Sequence, residues 1–300
     1  MALYPISTNK PHPLTGTKLC IDFASTCLPY YPCDNEFSIF SPMTSIKSFS
    51  LLILLLIAIS CSRPSENSLA HINSSEVKSF LEKALEKNGG LERWKAIKIL
   101  KYNKNYELYL ESGEVEMAAQ QFHDYTLLPN MEINILSKEG NDKKQIVFEQ
   151  GQIKEYVNDT LNKQVNEESL TNNMQSALFV ISQPFKLADE GPELTYEGIK
   201  TLNTGEEVYV LRAVYNSSSK DNLTTSDTWW VYFDKESYLM TGYTVKHLDH
   251  YSLVRNIETI EVEGFHFPKL RKSWRVNEKG EVLYLRASYE YSNFEINSSI

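Results

Sequence analysis

Apolar positions along the chain keep a helical period first and a strand period afterwards. Val77, Phe80, Leu81, Ala84 and Leu85 step by three, one, three and one, which lays them along one stripe of a helix. Ser74 or Ser75 can cap its start. Lys87-Asn88-Gly89-Gly90 stops it, because glycine takes the left-handed conformation that a helix end needs. Leu91-Glu92-Arg93-Trp94 predicts a short second turn leading into the first strand. From Ile97 to about Asn158 the period becomes two. Tyr102, Lys104, Tyr106, Leu108 and Leu110 share one face, while Asn103, Asn105, Glu107 and Tyr109 take the other. Further segments follow at 114–125, 130–137, 144–149 and 152–158. Ser112-Gly113, Pro129, Glu139-Gly140-Asn141 and Gln150-Gly151 separate them, and loops this short permit only antiparallel pairing.

One helical stretch interrupts the strands. Within Glu167–Ser182, the residues Leu170, Met174, Ala177, Leu178 and Ile181 fall on one face, and Pro184 ends the element. Strands resume after Gly191-Pro192, at 194–200, 206–215, 227–234, 238–248, 254–262, 268–277 and 281–296. No linker rich in Gly, Pro or Ser divides the two strand groups, so residues 74–297 are expected to form a single domain. The expected class is α+β, with about 11 strands in one strongly curved antiparallel sheet and one or two helices packed on its concave face. A flat sheet of that size would leave long edges and a bare face; curvature around helix 167–182 avoids both.

The stretch from Met43 to Cys61 has a different pattern. Lys47 precedes an unbroken apolar run from Leu51 to Ile59, and the small Ser60 precedes Cys61. A membrane-spanning helix takes about 20 apolar residues, and this run is shorter. A basic start, a short apolar run and small residues before a cut are the parts of a signal peptide. Ala58-Ile59-Ser60-Cys61 resembles the lipobox of bacterial lipoproteins. That resemblance implies cleavage between Ser60 and Cys61 and acylation of the Cys61 thiol. Residues 43–60 are then the signal peptide and 61–73 a lipidated polar tether. Residues 1–42 fit poorly ahead of a signal peptide, which should begin near its own Met; they are expected to be an upstream extension, with Met43 the true start.

Composition narrows the function. Hydrophobic residues at 42% and charged residues at 23% are globular values. A net charge of -9 argues against a binder of nucleic-acid backbones. Cys20, Cys27 and Cys33 all lie in the upstream segment at spacings that match no paired zinc knuckle. No Cys follows Cys61, so the fold uses neither disulfides nor thiol chemistry.

Several segments resemble a group of Gram-negative lipoproteins of unknown function. They are Asn88-Gly89-Gly90-Leu91-Glu92-Arg93-Trp94, the run from Gln183 to Gly191, the strand Trp229-Trp230-Val231-Tyr232-Phe233-Asp234, and Glu263-Gly264-Phe265-His266-Phe267-Pro268. The group looks like the lipoprotein-carrier superfamily of LolA and LolB. The resemblance implies an incomplete β-barrel whose concave apolar face is lidded by helices, and an outer-membrane location facing the periplasm. It does not carry the sorting activity, since a fold does not fix a function.

Catalytic signals are weak. His247-Leu248-Asp249-His250 is the best metal candidate, but on a strand 247 and 249 face one way and 250 the other; no metal is expected. His266 beside Pro268 is expected to pack in a turn. His123-Asp124 has no nucleophile elbow nearby, and no phosphate-cradling glycine motif occurs. Glu111, Glu114, Glu116, Glu258, Glu261 and Glu263 are expected on solvated strand faces. No catalytic residue and no cofactor is therefore assigned. Trp229-Trp230 with Tyr232 places large rings on both faces of one strand; one face packs the core and the other lines a cavity under helix 167–182. The expected apolar groove is Met174, Leu178, Phe179, Trp229, Trp230 and Tyr232, and its occupant a lipid or other apolar molecule. The alternatives are an envelope hydrolase with dispersed carboxylates or His, and a structural or partner-binding lipoprotein with a closed core. The partners expected are the membrane, through the anchor, and no nucleic acid.

Overall fold

The computed structural model describes residues 68–215 and 227–298. Helix α1 (Ser75–Lys87) starts at Ser74, whose hydroxyl accepts from the Val77 amide at 3.3 Å, and it buries the whole predicted stripe. Asn88 caps its end, and Gly89 and Gly90 follow at φ 129° and 90°. Helix α2 (Leu91–Lys95) leads into a long run of hairpins: β1 (Ile97–Tyr109), β2 (Val115–Thr126), β3 (Glu132–Glu139), β4 (Asp142–Glu149), β5 (Gln152–Val157) and β6 (Thr160–Leu161). Helix α3 (Glu167–Ile181) and a 3-10 turn (Phe185–Ala188) come next. The chain then forms β7 (Glu193–Thr201), β8 (Glu207–Val214), β9 (Thr228–Asp234), β10 (Met240–Lys246), β11 (Tyr251–Val262), β12 (Phe265–Val276) and β13 (Val282–Ser298).

These strands make one antiparallel sheet of 13, in the order β6-β5-β4-β3-β2-β1-β13-β12-β11-β10-β9-β8-β7. The chain enters at the middle. Successive hairpins carry it outward from β1 to the β6 edge, α3 takes it to the opposite edge at β7, and further hairpins return it to β1. The two free edges are therefore neighbours in sequence. α3 lies against β5, sets Phe179 on Trp229 of β9, and offers the Val180 carbonyl to Arg271 of β12 at 3.4 Å. One short helix touches strands so far apart in the ladder only because the sheet curls around it. The result is an open, strongly curved sheet with helices on its concave face, the architecture implied by the lipoprotein-carrier resemblance.

The core fills that concave face. Phe80 of α1 stacks on Tyr196 at 4.8 Å and meets Tyr209 and Phe233 edge-on. Trp94 of α2 stacks on Phe185 at 4.6 Å. Farther along, Tyr102 lies between His123 at 4.5 Å and Phe294 at 5.4 Å. Arg63–Ile300 forms one compact unit, and its described residues enclose an apolar interior. Cys61, the Ser60/Cys61 cleavage point, the signal peptide 43–60 and residues 1–42 lie outside the described residues.

Several boundaries differ from the sequence expectation, each for a local reason. The sheet has more strands than the pattern predicts, because β6 is only two residues long and leaves no periodicity. β12 begins at Phe265 and runs through Pro268. Pro268 pairs next to the register shift at Glu258/Thr259, where a missing N–H disturbs the ladder least. β10 ends at Lys246 rather than continuing to 248, because the His247 amide donates to the His250 carbonyl at 2.9 Å and turns the chain. Among the described residues there are three short helices, the two longer ones and the short turn at Leu91–Lys95 that the sequence predicts.

Candidate functional site

An apolar opening lies where the last turn of α3 meets the concave face. It holds about 330 Å³. Phe179 and Val180 form its helical wall, and Trp229, Tyr243, Val245 and Val254 its strand wall. The strand residues share a face by register: Trp229 pairs with Val245, and Val231 with Tyr243. Phe179 stands edge-on to Trp229 at 5.2 Å and to Tyr215 at 5.6 Å, and Trp229 lies 4.8 Å from Tyr243. Burial pushes the Tyr243 phenol up to about 12, so its hydroxyl stays neutral in the wall.

The cleft mouth is polar. Asp227, His247, His250, Ser252, Arg275 and Arg286 line it. His247 Nδ1 lies 2.8 Å from Asp227 Oδ2, His250 bonds Asp249, and Arg286 pairs with Glu116 and with the Tyr109 carbonyl. The bond from His250 holds the Asp249 carboxyl below its ordinary range. Arg275 Nη1 donates to Ser252 Oγ at 2.7 Å. The two imidazole rings stand 4.6 Å apart. On a regular strand the two rings would face opposite ways; the turn at 247–250, closed by the His247 amide on the His250 carbonyl, brings them together. Among the described residues no group of three or more His, Cys, Asp or Glu is placed to hold a metal ion.

The expected groove residues separate. Phe179 and Trp229 line the cleft. Met174 and Leu178 lie in the core, 2% and 9% exposed, since their shared stripe presses α3 onto the sheet, while Ser176, Phe179 and Val180 on the adjoining face reach the opening. Trp230 and Tyr232 point to the opposite face of β9. There they pack with Val208, Val210, Leu202 and Leu253 and border a separate opening of about 320 Å³. Tyr232 Oη donates to Thr244 Oγ1 at 2.8 Å on that face. Tyr243, Val245, Val254 and Arg275 were not singled out in the sequence; the signal that could have found them is their parity with Trp229, which requires the hairpin register.

Deeper along the concave face the chain buries charge. Arg271 is 3% exposed, with its guanidinium Nε donating to Asn256 Oδ1 at 2.9 Å. Half-buried Lys104 lies over the rings of Tyr106 and Tyr289 at 5.0 and 5.3 Å. Loss of water, with Arg271 nearby, brings the Lys104 pKa down to about 8. His123 is buried between Tyr102 and Tyr125, bonding the Tyr125 hydroxyl at 2.8 Å. His266 sits in β12 rather than in a turn, and its amide donates to the Asn88 carbonyl at 3.4 Å. Other carboxylates pair at the surface, as Glu258 does with Lys269.

No family model matches the chain, and no curated protein does. Among solved structures it is similar to a DUF1329 family protein from Desulfovibrio piger, at 9% identity and a TM-score of 0.49, over 76% of this chain and 95% of that one. It is also similar to a putative outer membrane lipoprotein-sorting protein domain from Vibrio parahaemolyticus, at 8% identity and a TM-score of 0.44, over 74% and 92% of the two chains. A LolA superfamily protein from Nitrosomonas europaea matches at 12% identity and a TM-score of 0.40, over 75% and 94%.

Proposed function

We propose that this chain is a membrane-anchored lipoprotein of the bacterial envelope that performs no catalysis and holds a lipid or other apolar molecule in the cleft under α3. The cleft carries this reading: about 330 Å³ of open space walled by Phe179, Trp229, Val245 and Val254. Protein interiors are packed as densely as organic crystals, so an apolar opening of this kind suits an occupant. Its volume lies at the small end of the range for ligand sites, about 300–1,000 Å³.

The order Ala58-Ile59-Ser60-Cys61 behind an apolar run supports acylation at Cys61. Two or three acyl chains, at about 0.8 kcal/mol per buried methylene, would hold the chain on a membrane. Ser rather than Asp at position 62 and the lack of an acidic run after Cys61 favour the outer membrane with the domain facing the periplasm. A polar tether of about 12 residues reaches about 20 Å as a flexible coil, which keeps the cleft near the bilayer.

Two experiments test the two halves. A fluorescent fatty acid titrated into the Arg63–Ile300 unit should show saturable binding, and a flat titration contradicts the ligand. Cys61→Ala should leave the precursor uncut or release it from membranes. Mature protein retained on membranes without acyl mass on residue 61 contradicts the anchor.

A further inference from the structure

The geometry points to an anionic single-chain amphiphile as the occupant of this cleft, with its carboxylate or phosphate head at Arg275 and its tail against Phe179 and Trp229. The inference rests on the apolar cleft proposed above and names the ligand class it takes. Three observations lead to it.

The first is a cleft arginine whose hydrogen-bond partner is neutral. Arg275 lines the cleft, bonds a neutral acceptor in Ser252 Oγ at 2.7 Å, and has no carboxylate at ion-pair distance among the described residues. The neighbouring polar groups have partners of their own: Arg286 pairs with Glu116, the His247 ring bonds Asp227, and the His250 ring bonds Asp249, whose carboxylate also feels the Arg275 charge. Arg271 and Lys104 lie behind this wall, over the rings of Tyr243 and Tyr289, and do not themselves line the cleft. Arg271 bonds neutral oxygens of Asn256 and Val180, and neither cation has a carboxylate partner among the described residues. A half-buried guanidinium gains from a counter-charge, and an anionic head at Arg275 supplies one. A guanidinium also matches a carboxylate or phosphate with two parallel donors.

The second is an unmet donor. Trp229 is 6% exposed and lines the cleft, and its indole N–H is buried with no hydrogen-bond acceptor among the described residues. Buried donors of this kind are rare in folded proteins. A head-group oxygen is an acceptor of the kind it lacks, reached once the wall shifts to uncover the nitrogen, while the ring face remains available to the tail.

The third is size and layout. The apolar residues Phe179, Trp229, Val245 and Val254 and the polar residues Ser252 and Arg275 line the same cleft, so it presents both halves of an amphiphile's surface. About 330 Å³ accommodates one chain rather than a bulky diacyl lipid.

The test titrates three probes into the Arg63–Ile300 unit by calorimetry: laurate, dodecanol and inorganic phosphate. Laurate should bind about tenfold more tightly than dodecanol, and phosphate alone far more weakly than laurate. Arg275→Gln should bring the laurate-to-dodecanol ratio close to one, and Arg275→Lys should keep most of the preference. Equal affinity of the wild-type unit for laurate and dodecanol overturns the head-group assignment, and does so without any variant. Phosphate binding as tightly as laurate overturns it in favour of a free-anion site. If none of the three binds, the apolar cleft itself fails as a ligand site, and the head-group assignment falls with it.

Discussion

Asn88 accepts a hydrogen bond from the Met240 amide, 152 positions away in sequence, at 3.1 Å. The same carboxamide donates to the Ala84 carbonyl at 2.7 Å and to the Tyr238 carbonyl at 3.0 Å. One buried side chain therefore ends α1 and fixes the turn between β9 and β10, the strands that carry Trp229 and Tyr243. Asn88→Ala would leave the Met240 N–H and the Tyr238 carbonyl without this partner. It should cost about 2 kcal/mol or more, read as a lower urea midpoint with an unchanged slope. An unchanged midpoint would remove Asn88 from this role.

Gly89 and Gly242 sit where a Cβ has no room. At Gly89, φ 129°, it would lie 2.3 Å from Phe265 Cδ1; at Gly242, φ 156°, 2.2 Å from the Val254 carbonyl oxygen. Gly113 shares a positive φ of 87° but faces open space. Gly113→Ala should cost about 1 kcal/mol through backbone strain alone. The other two should cost on the order of 3 kcal/mol, because backbone or a packed ring must move. Equal losses in thermal unfolding at all three positions would contradict the close approach.

His123 makes stability depend on pH. Burial, with Lys104 nearby, holds its imidazole well below its ordinary 6.5. The unfolded chain takes up that proton first, so the contribution is full above about pH 6.5 and is lost progressively as pH falls. Urea midpoints at about pH 7.5 and about pH 5 should differ more for the wild-type unit than for His123→Gln. Parallel losses in both proteins would show that His123 does not titrate in this way.

The two faces of β9 should behave differently. Phe179→Ala opens the cleft wall and Trp230→Ala alters the opposite face, so a fluorescent fatty acid should lose affinity with the first and keep it with the second. Loss with Trp230→Ala and none with Phe179→Ala would move the ligand to the outer opening.

Much of this fold is legible in the sequence, because helices and strands here are each half-buried and print their period. The stripe from Val77 to Leu85 and the alternation from Tyr102 to Leu108 fix element type without outside help. Which strand face lies inward is harder to read. Trp229 and Trp230 are identical residues, and only the pairing of Trp229 with Val245 and of Val231 with Tyr243 decides which one meets α3. His247 and His250 read as opposed on a strand that was expected to run to 248; a turn closed by one backbone hydrogen bond brings them together. Asn88 looks like an ordinary polar helix end, since its partners Tyr238 and Met240 lie in a distant hairpin. Arg275 reads as a solvated strand charge until the curl of the sheet turns its face inward.

Native mass spectrometry of the Arg63–Ile300 unit, expressed in a bacterial envelope and purified without detergent, tests the central claim that the cleft under α3 holds an apolar ligand. The expected spectrum has a second species heavier by the mass of one acyl-chain molecule. That species should disappear in Phe179→Glu, while the strand signal in circular dichroism persists. A single unliganded mass for the wild-type unit, together with no uptake of added laurate, would contradict the account.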